Sequence, residues 1–148
     1  MTKIAVLSDI HGNTRALEAV LADAEKAGVE EYWLLGDILM PGTGRKNILQ
    51  RLEGLPITVR VLGNWEESLW RAAHRKLDTS RPSHRYLLRQ CQYIMEEISL
   101  DDIEALQAFP MHTHRQFGNL KVGISHHLPD KNWGRELIHL GKQEDFDR

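Results

Sequence analysis

Five side chains that can bind metal ions stand directly after short apolar runs of the sequence. Asp9 and His11 lie two residues apart behind the first run. The other three side chains also follow apolar runs: Asp37, Asn64 and His126. Because open α/β sheets bind their ligands at the carboxyl ends of their strands, we expect these side chains to lie close together.

Two carboxylates, imidazole groups and an amide oxygen form a mixed set of nitrogen and oxygen ligands. Such a set suits manganese, iron or zinc better than calcium. Asp37 has two carboxylate oxygens, so it can bridge two ions. Two ions about 3.5–4 Å apart can hold both non-bridging oxygens of a phosphoester and acidify a water that attacks phosphorus in line. The ligand set therefore favours the hydrolysis of phosphoesters.

Each of these residues also has a purely structural interpretation. A carboxylate after a strand, such as Asp9, is often only a helix cap, and Asn64 follows glycine in a dipeptide typical of turns. His126 has a histidine neighbour, His127, and one of the two is expected to be solvated. The metal-binding interpretation depends on the repeated position after a strand rather than on any single residue.

The elements that must position these side chains follow a βαβαβ order. Three short apolar runs predict strands, at residues 4–7, 31–35 and 57–62. The first run carries no alternation, so we expect it to be buried on both faces. A helix capped by Asn13 or Thr14 separates the first two strands, and a second helix over 45–52 follows, so the sheet should be parallel. The apolar face of the first helix should comprise Leu17, Val20, Leu21 and Ala24.

The rest of the chain divides into a helical segment and a hairpin. No strand pattern occurs between about 66 and 109, which we interpret as a helical insert in a single domain spanning 1–148. Alternation then returns, and Gly118 and Asn119 separate two strands of an antiparallel hairpin, 113–117 and 120–125. The pattern over 133–140 predicts a further helix.

The composition excludes several classes of protein. The 148 residues are 41% hydrophobic and 27% charged, which is typical of one globular domain. A net charge of -2 gives no electrostatic basis for binding a nucleic-acid polymer or an anionic membrane. No apolar run approaches the length of a membrane span, and the single cysteine, Cys91, has no partner for a disulfide. We therefore expect a cytoplasmic protein.

The chain resembles the calcineurin-like metallophosphoesterases in the order and spacing of its motifs: Asp9-Ile10-His11, Gly36-Asp37, Gly63-Asn64-x-Glu66 and the strand-borne His126. The resemblance implies two divalent ions, with Mn²⁺ as the first choice and Fe or Zn as alternatives. By the resemblance, Asp9, His11 and Asp37 hold the first ion, while Asp37, Asn64 and His126 hold the second. It also implies a four-layer α/β/β/α fold, in which two mixed sheets stack face to face and helices lie outside.

The implied activity is that of a metal-dependent phosphohydrolase, either a phosphodiesterase or a hydrolase of nucleotides or dinucleoside polyphosphates. A hydroxide that bridges the metals would attack phosphorus. Asn64 and His127 are the candidate catalytic residues, with His127 as a general acid, because Trp65 stands where most of the family has a histidine. Arg71 and Arg75, on the helix after the third motif, are either substrate-phosphate contacts or part of a solvated face.

The family's closing motif, Gly-His-x-His, does not follow His126 in this sequence. The letters of 111–114 are similar, but they precede the His126 strand, so we expect them to begin the hairpin instead. The second sheet should then be incomplete, either because the sequence is a fragment or because a partner copy completes it. Trp65 and the missing motif also leave open a non-catalytic module that binds a phosphorylated ligand or a protein partner.

Overall fold

The computed structural model describes residues 2–132. Its strands are β1 (Ile4–Leu7), β2 (Glu31–Leu34), β3 (Ile57–Arg60), β4 (His112–Phe117) and β5 (Leu120–Ser125). Its helices are α1 (Thr14–Lys26), α2 (Arg45–Glu53), α3 (Asn64–Ala73), α4 (Pro82–Met95) and α5 (Leu100–Gln107). The predicted helix over 133–140 lies outside the described residues. None of the helices within 2–132 is both long and apolar enough to cross a membrane.

The first sheet is parallel, with β2 between β1 and β3. Because α1 and α2 connect successive strands, the predicted βαβαβ unit is confirmed. The prediction that the first strand is buried on both faces is wrong, since Val6 is 54% exposed. Val20 was predicted to lie on the apolar face of α1, but its side chain is also exposed, so that prediction is wrong too. Val6 lies on an edge strand of the described sheet, and an apolar pattern does not reveal which element would cover it.

Strand alternation divides the apolar core into two layers. Tyr32 and Leu34 of β2 belong to the larger layer, which packs the helices against the sheet. Trp33 points the other way and belongs to a smaller layer between the sheet and β5, together with Val59 and Ile124. The two layers thus bury opposite faces of β2.

The segment between β3 and β4 is helical, as predicted. Its helices pack around α3, and the buried side chains between them include Leu69, Cys91 and Ile103. α5 begins with a capping box. The Asp102 N–H donates to Oγ of Ser99 at 3.1 Å, and the Ser99 N–H donates to Oδ2 of Asp102 at 3.0 Å. The buried side chains of this segment therefore belong to the same apolar layer as Tyr32 and Leu34, and α5 has its own helix-start signal.

β4 and β5 form the predicted antiparallel hairpin, with Phe117 opposite Leu120. Gly118, in the turn between them, has φ 58°, a conformation that glycine adopts without strain. The hairpin packs on the first sheet through Phe117, whose ring stacks on that of Trp33 with 6.1 Å between the centroids. Arg115 adds a hydrogen bond to the backbone carbonyl of Thr58. The end of β5 is thereby brought towards the carboxyl ends of the parallel strands.

Candidate metal centre

Backbone hydrogen bonds hold the loops after β1 and β2 side by side. The Asp9 N–H donates to the carbonyl of Gly36 at 3.1 Å, and the His11 N–H donates to the carbonyl of Asp37 at 2.9 Å. These bonds continue the pairing of β1 and β2 beyond the strands themselves. They bring the motifs of Asp9, His11 and Asp37 to one edge of the sheet.

The backbone at these motifs adopts a left-handed conformation. φ is 55° at Asp9, 48° at His11 and 56° at Asp37. Among the described residues, one further non-glycine, Arg75, has a positive φ. Such values are rare for residues with side chains and cost on the order of 1–3 kcal/mol each. Their concentration at three candidate ligands indicates a site whose geometry is fixed by the surrounding fold.

His126 reaches from the end of β5 to the loop after β2. Its Nδ1–H donates to the backbone carbonyl of Leu35 at 2.6 Å, which turns Nε2 towards the other candidate ligands. Nε2 lies 3.3 Å from Oδ2 of Asp37 and 3.1 Å from Oδ1 of Asn64. The hydrogen bond to Asp37 raises the pKa of His126 to about 9. Asp37, Asn64 and His126 therefore converge on one point.

His11 is oriented in the same way as His126. Its Nδ1–H donates to the backbone carbonyl of Met40, and its Nε2 lies 3.4 Å from Oδ1 of Asp9. The hydroxyl of Ser8 donates to the other carboxylate oxygen of Asp9 at 2.5 Å. In both histidines a backbone carbonyl holds Nδ1, which is the usual arrangement of an imidazole that binds a metal through Nε2.

Asp9, Asp37 and His126 each offer a ligand atom within 4.8 Å of the other two. The Asp9 side chain is 53% exposed, whereas the Asp37 side chain is 4% exposed, so the group opens to solvent on the Asp9 side. Two carboxylates this close favour a neighbouring positive charge. Both the donor types and their spacing fit a divalent cation.

Sequence reasoning assigned no role to Glu66, which is buried next to these residues. Its carboxylate accepts hydrogen bonds from the N–H groups of Asp37, Ile38 and Gly63. Burial raises the pKa of Glu66, and these hydrogen bonds oppose that effect. The sequence signal is its position three residues after the N-cap Gly63, because a carboxylate at N3 can accept the N–H of the N-cap residue. That signal accounts for the bond to Gly63 but not for the other two.

Two neighbours of the predicted ligands have different surroundings. Nε2 of His127 is buried and has no hydrogen-bond partner within residues 2–132. Trp65 packs against the larger apolar layer and meets the His11 ring edge-on, with 6.4 Å between the centroids. The Trp65 N–H donates to Oδ1 of Asp37 at 3.0 Å. The backbone of residue 65 thus contributes to the site even though its side chain is not a histidine.

The remaining candidates lie on α3 and the hairpin. Arg71 makes a loose ion pair with Glu67, at 3.9 Å, and Arg75 is exposed beyond the end of the helix. His112 begins β4, as expected for 111–114, and its Nδ1–H donates to the carbonyl of Pro129 at 3.0 Å. That contact belongs to the hairpin and not to the group around Asp37.

Comparisons with known proteins relate this chain to a protein family. A model of the calcineurin-like phosphoesterase superfamily domain matches residues 2–144. An uncharacterized protein of Methanocaldococcus jannaschii is 28% identical over 126 residues, which are 85% of this chain and 49% of that protein. This chain therefore spans about half the length of that relative.

Solved structures agree with the family match. A hypothetical protein of Pyrococcus horikoshii OT3 has the same fold, with a TM-score of 0.76 at 20% identity over 99% of this chain and 63% of that chain. A metallophosphoesterase from Sphaerobacter thermophilus gives a TM-score of 0.56 at 28% identity over 81% of this chain and 45% of that chain. The resemblance seen in the motifs is confirmed: this chain belongs to the calcineurin-like phosphoesterase superfamily.

Proposed function

We propose that this protein is a metal-dependent phosphohydrolase that cleaves phosphodiesters or the phosphoanhydride bonds of nucleotides and dinucleoside polyphosphates. The observation that carries the proposal is the position of Asp37. Its carboxylate lies 3.3 Å from Nε2 of His126 and belongs, with Asp9, to the group whose ligand atoms lie within 4.8 Å. Membership of the superfamily supports hydrolysis of a phosphoester.

In this proposal Asp37 would contribute to the binding of two divalent ions, one together with Asp9 and His11 and the other together with Asn64 and His126. We favour Mn²⁺, with Fe or Zn as alternatives, because the ligands mix imidazole nitrogen with carboxylate and amide oxygen. When bound, the ions supply positive charge at the phosphoryl oxygens and lower the pKa of a water molecule.

The chain's own groups hold this arrangement in place. The carbonyls of Met40 and Leu35 fix the rings of His11 and His126 through Nδ1. The left-handed backbone at Asp37 turns its carboxylate towards His126. Because these groups are positioned before substrate arrives, little reorganisation is needed at the moment of reaction.

We propose Arg71 as the contact for a second anionic group of the substrate. Arg71 follows Asn64 by seven residues in α3, so both lie on one face of the helix, about 10 Å apart along its axis. Helical side chains lean towards the helix N-terminus, and the pairing of Arg71 with Glu67 has this direction. The guanidinium thus leans towards Asn64. Arg75 lies beyond the end of α3, four residues after Arg71, and would contact only a longer substrate.

Protonation of a poor leaving group needs a residue other than Trp65, which has no group that titrates near neutral pH. We propose His127 as that general acid, because it follows His126 directly and its Nε2 has no partner within the described residues. A nucleotide or pyrophosphate leaves readily without a proton, so such substrates would depend less on His127.

We also propose that residues 1–148 belong to one four-layer α/β/β/α domain whose second sheet begins with β4 and β5. The likeness in fold to the longer Pyrococcus horikoshii protein supports this architecture. The exposure of Leu120, at 62%, also supports it, because further strands would cover that side chain. Those strands would come from the same polypeptide or from a second copy.

Hydrolysis of bis(p-nitrophenyl) phosphate tests the proposal. The protein is stripped of metal, reloaded with Mn²⁺ and compared with its Asp37→Ala variant. We expect the variant to lose activity, while Asp23→Ala, which removes an exposed carboxylate of α1, keeps it. A folded Asp37→Ala protein with wild-type turnover would exclude the proposed centre.

The aromatic residue at position 65 favours a second candidate function, a module that binds a phosphorylated ligand without cleaving it. Trp65 meets the His11 ring edge-on, and its indole does not supply a proton near neutral pH, which supports this candidate. In that case the Mn²⁺-loaded protein would bind inorganic phosphate in calorimetry but release no more p-nitrophenolate than Asp37→Ala.

A further inference from the structure

We infer that Glu66 is a positioning residue that fixes both halves of the proposed metal centre at once. The inference rests on the proposed function, since positioning of ligands presupposes a bound metal. Glu66 is 3% exposed, and it and Asp37 are the buried carboxylates among the described residues. A buried carboxylate is costly unless hydrogen bonds satisfy it, so its contacts indicate its role.

The carboxylate of Glu66 joins two loops that belong to different strands. Oε2 accepts the N–H of Asp37 at 2.8 Å and the N–H of Gly63 at 3.0 Å. Oε1 accepts the N–H of Ile38 at 2.8 Å. Asp37 and Ile38 follow β2, whereas Gly63 follows β3 and directly precedes Asn64. One side chain therefore holds the shared ligand Asp37 and the backbone next to a ligand of the second ion.

The loop after β2 needs such support because its backbone is strained. φ is 88° at Gly36 and 56° at Asp37, and only the glycine adopts such values readily. The hydrogen bonds to Glu66 hold the peptide groups on either side of the Asp37 Cα. Without them, two buried N–H groups would lose their partners, and the backbone of Asp37 would relax towards an ordinary conformation. Its carboxylate would then turn away from His126.

The two loops are in direct backbone contact, so a displacement of one moves the other. A Cβ atom added to Gly36 would lie 2.5 Å from Cα of Gly63. A Cβ atom added to Gly63 would overlap the backbone N of Asp37 and the Glu66 carboxylate. The Trp65 N–H adds a bond to Oδ1 of Asp37 from the same side. Loss of Glu66 is therefore expected to displace Asn64 as well as Asp37.

Helix capping alone does not explain this arrangement. A carboxylate that caps a helix from the N3 position needs to bond only the N-cap N–H, here that of Gly63. Two of the three bonds of Glu66 instead go to the loop after β2. A cap lowers stability when it is removed, whereas a positioning residue also weakens metal binding by the protein that remains folded.

Glu66→Gln tests the inference, because an amide has one accepting oxygen and cannot satisfy the same three donors. In protein shown to be folded by circular dichroism, we expect calorimetry to give Mn²⁺ binding weaker by about 10- to 100-fold. Asp102→Asn is the matched control, since Asp102 is the N3 residue of the α5 capping box. Its Mn²⁺ affinity should stay within about twofold of wild type. A folded Glu66→Gln protein with wild-type affinity overturns the inference.

Amide hydrogen exchange gives a second measurement that needs no metal. In the wild-type protein the amides of Asp37, Ile38 and Gly63 should be protected, and Glu66→Asp should accelerate their exchange by at least about tenfold. Exchange of these amides at the rate of exposed loops in the wild type would overturn the inference even if no Glu66 variant folds. A wild-type protein that binds no Mn²⁺ but protects these amides would contradict the proposed function and leave Glu66 as a structural residue.

Discussion

Oδ2 of Asp37 lies 3.3 Å from Nε2 of His126, so the parallel sheet and the hairpin meet at a carboxylate and an imidazole. Asp37 follows β2, and His126 follows β5. Both side chains are almost fully buried, at 4% and 8% exposure, so solvent and salt screen their interaction only weakly. A cation bound here would take the place of the proton that the two groups share.

Metal binding should therefore depend on pH. Because Asp37 raises the pKa of His126 to about 9, the metal-free protein carries a proton on His126 at neutral pH. A metal ion must displace that proton. We expect the apparent Mn²⁺ affinity to rise by about tenfold per pH unit between pH 7 and 8.5. Calorimetry in buffers of different ionisation enthalpy should detect the released proton, and an affinity independent of pH would contradict this prediction.

The stability of the metal-free protein should change in the opposite direction. A histidine whose pKa is raised on folding stabilises the fold fully below its unfolded pKa of 6.5, and the contribution is lost as the pH rises through about 9. We expect the urea midpoint of the metal-free protein to fall over this range. His126→Asn should remove that part of the pH dependence, and a profile unchanged by this substitution would count against the assignment to His126.

Two histidines of the hairpin region should differ in their effect on metal binding. His126 belongs to the group of ligand atoms around Asp37, whereas His112 bonds the carbonyl of Pro129. We expect His126→Ala to weaken Mn²⁺ binding by more than about tenfold, because it removes a ligand. His112→Ala is expected to leave the affinity within about twofold. Equal effects of the two substitutions would show that His126 is not a ligand.

Substitution of Gly63 should destabilise the fold. In Gly63→Ala the added Cβ would overlap the backbone N of Asp37 and the carboxylate of Glu66. Such overpacking typically costs about 1–3 kcal/mol. Gly54 is the matched control, because its φ is -79° and no atom lies within 4 Å of its added Cβ. We expect Gly54→Ala to leave the free energy of unfolding unchanged or raise it by up to about 1 kcal/mol. Urea unfolding of both variants measures the difference, and similar midpoints would refute it.

Arg71 should matter only for substrates with a second anionic group. Loss of a hydrogen bond to a charged group is worth about 1.5–3 kcal/mol. We therefore expect Arg71→Ala to lower kcat/KM for a dinucleoside polyphosphate by about 10- to 100-fold. Turnover of bis(p-nitrophenyl) phosphate should stay within about twofold, as should both activities of Lys121→Ala, which alters an exposed residue of the hairpin. An equal loss on both substrates would assign Arg71 a structural role.

The ligands on the parallel sheet could be predicted from the sequence, because each of them directly follows a strand. Asp9, Asp37 and Asn64 each come after a strand of one parallel sheet, and such strands end at the same edge. His126 follows an antiparallel hairpin, and no periodicity relates β5 to β2. Its place after a strand made it a candidate ligand, but its contact with Leu35, 91 residues away, appears only in the folded structure.

Two features could not be obtained from local patterns. Glu66 has the position of a helix cap, but its bonds to Asp37 and Ile38 span 29 and 28 residues. Such tertiary contacts leave no periodic signal in the sequence. Val6 belongs to an apolar run that is typical of buried strands, yet burial depends on a neighbouring element that the run itself does not specify.

The contact between His126 of the hairpin and Asp37 of the parallel sheet has a consequence for the motions of the fold. A cation held by both Asp37 and His126 would bind only while the hairpin is docked on the parallel sheet. At a metal concentration one hundred times the Kd, this linkage stabilises the docked state by about 2.7 kcal/mol. The population with an open hairpin would then be about a hundredfold smaller, so the metal concentration would determine the fraction of molecules in which the hairpin is docked on the parallel sheet.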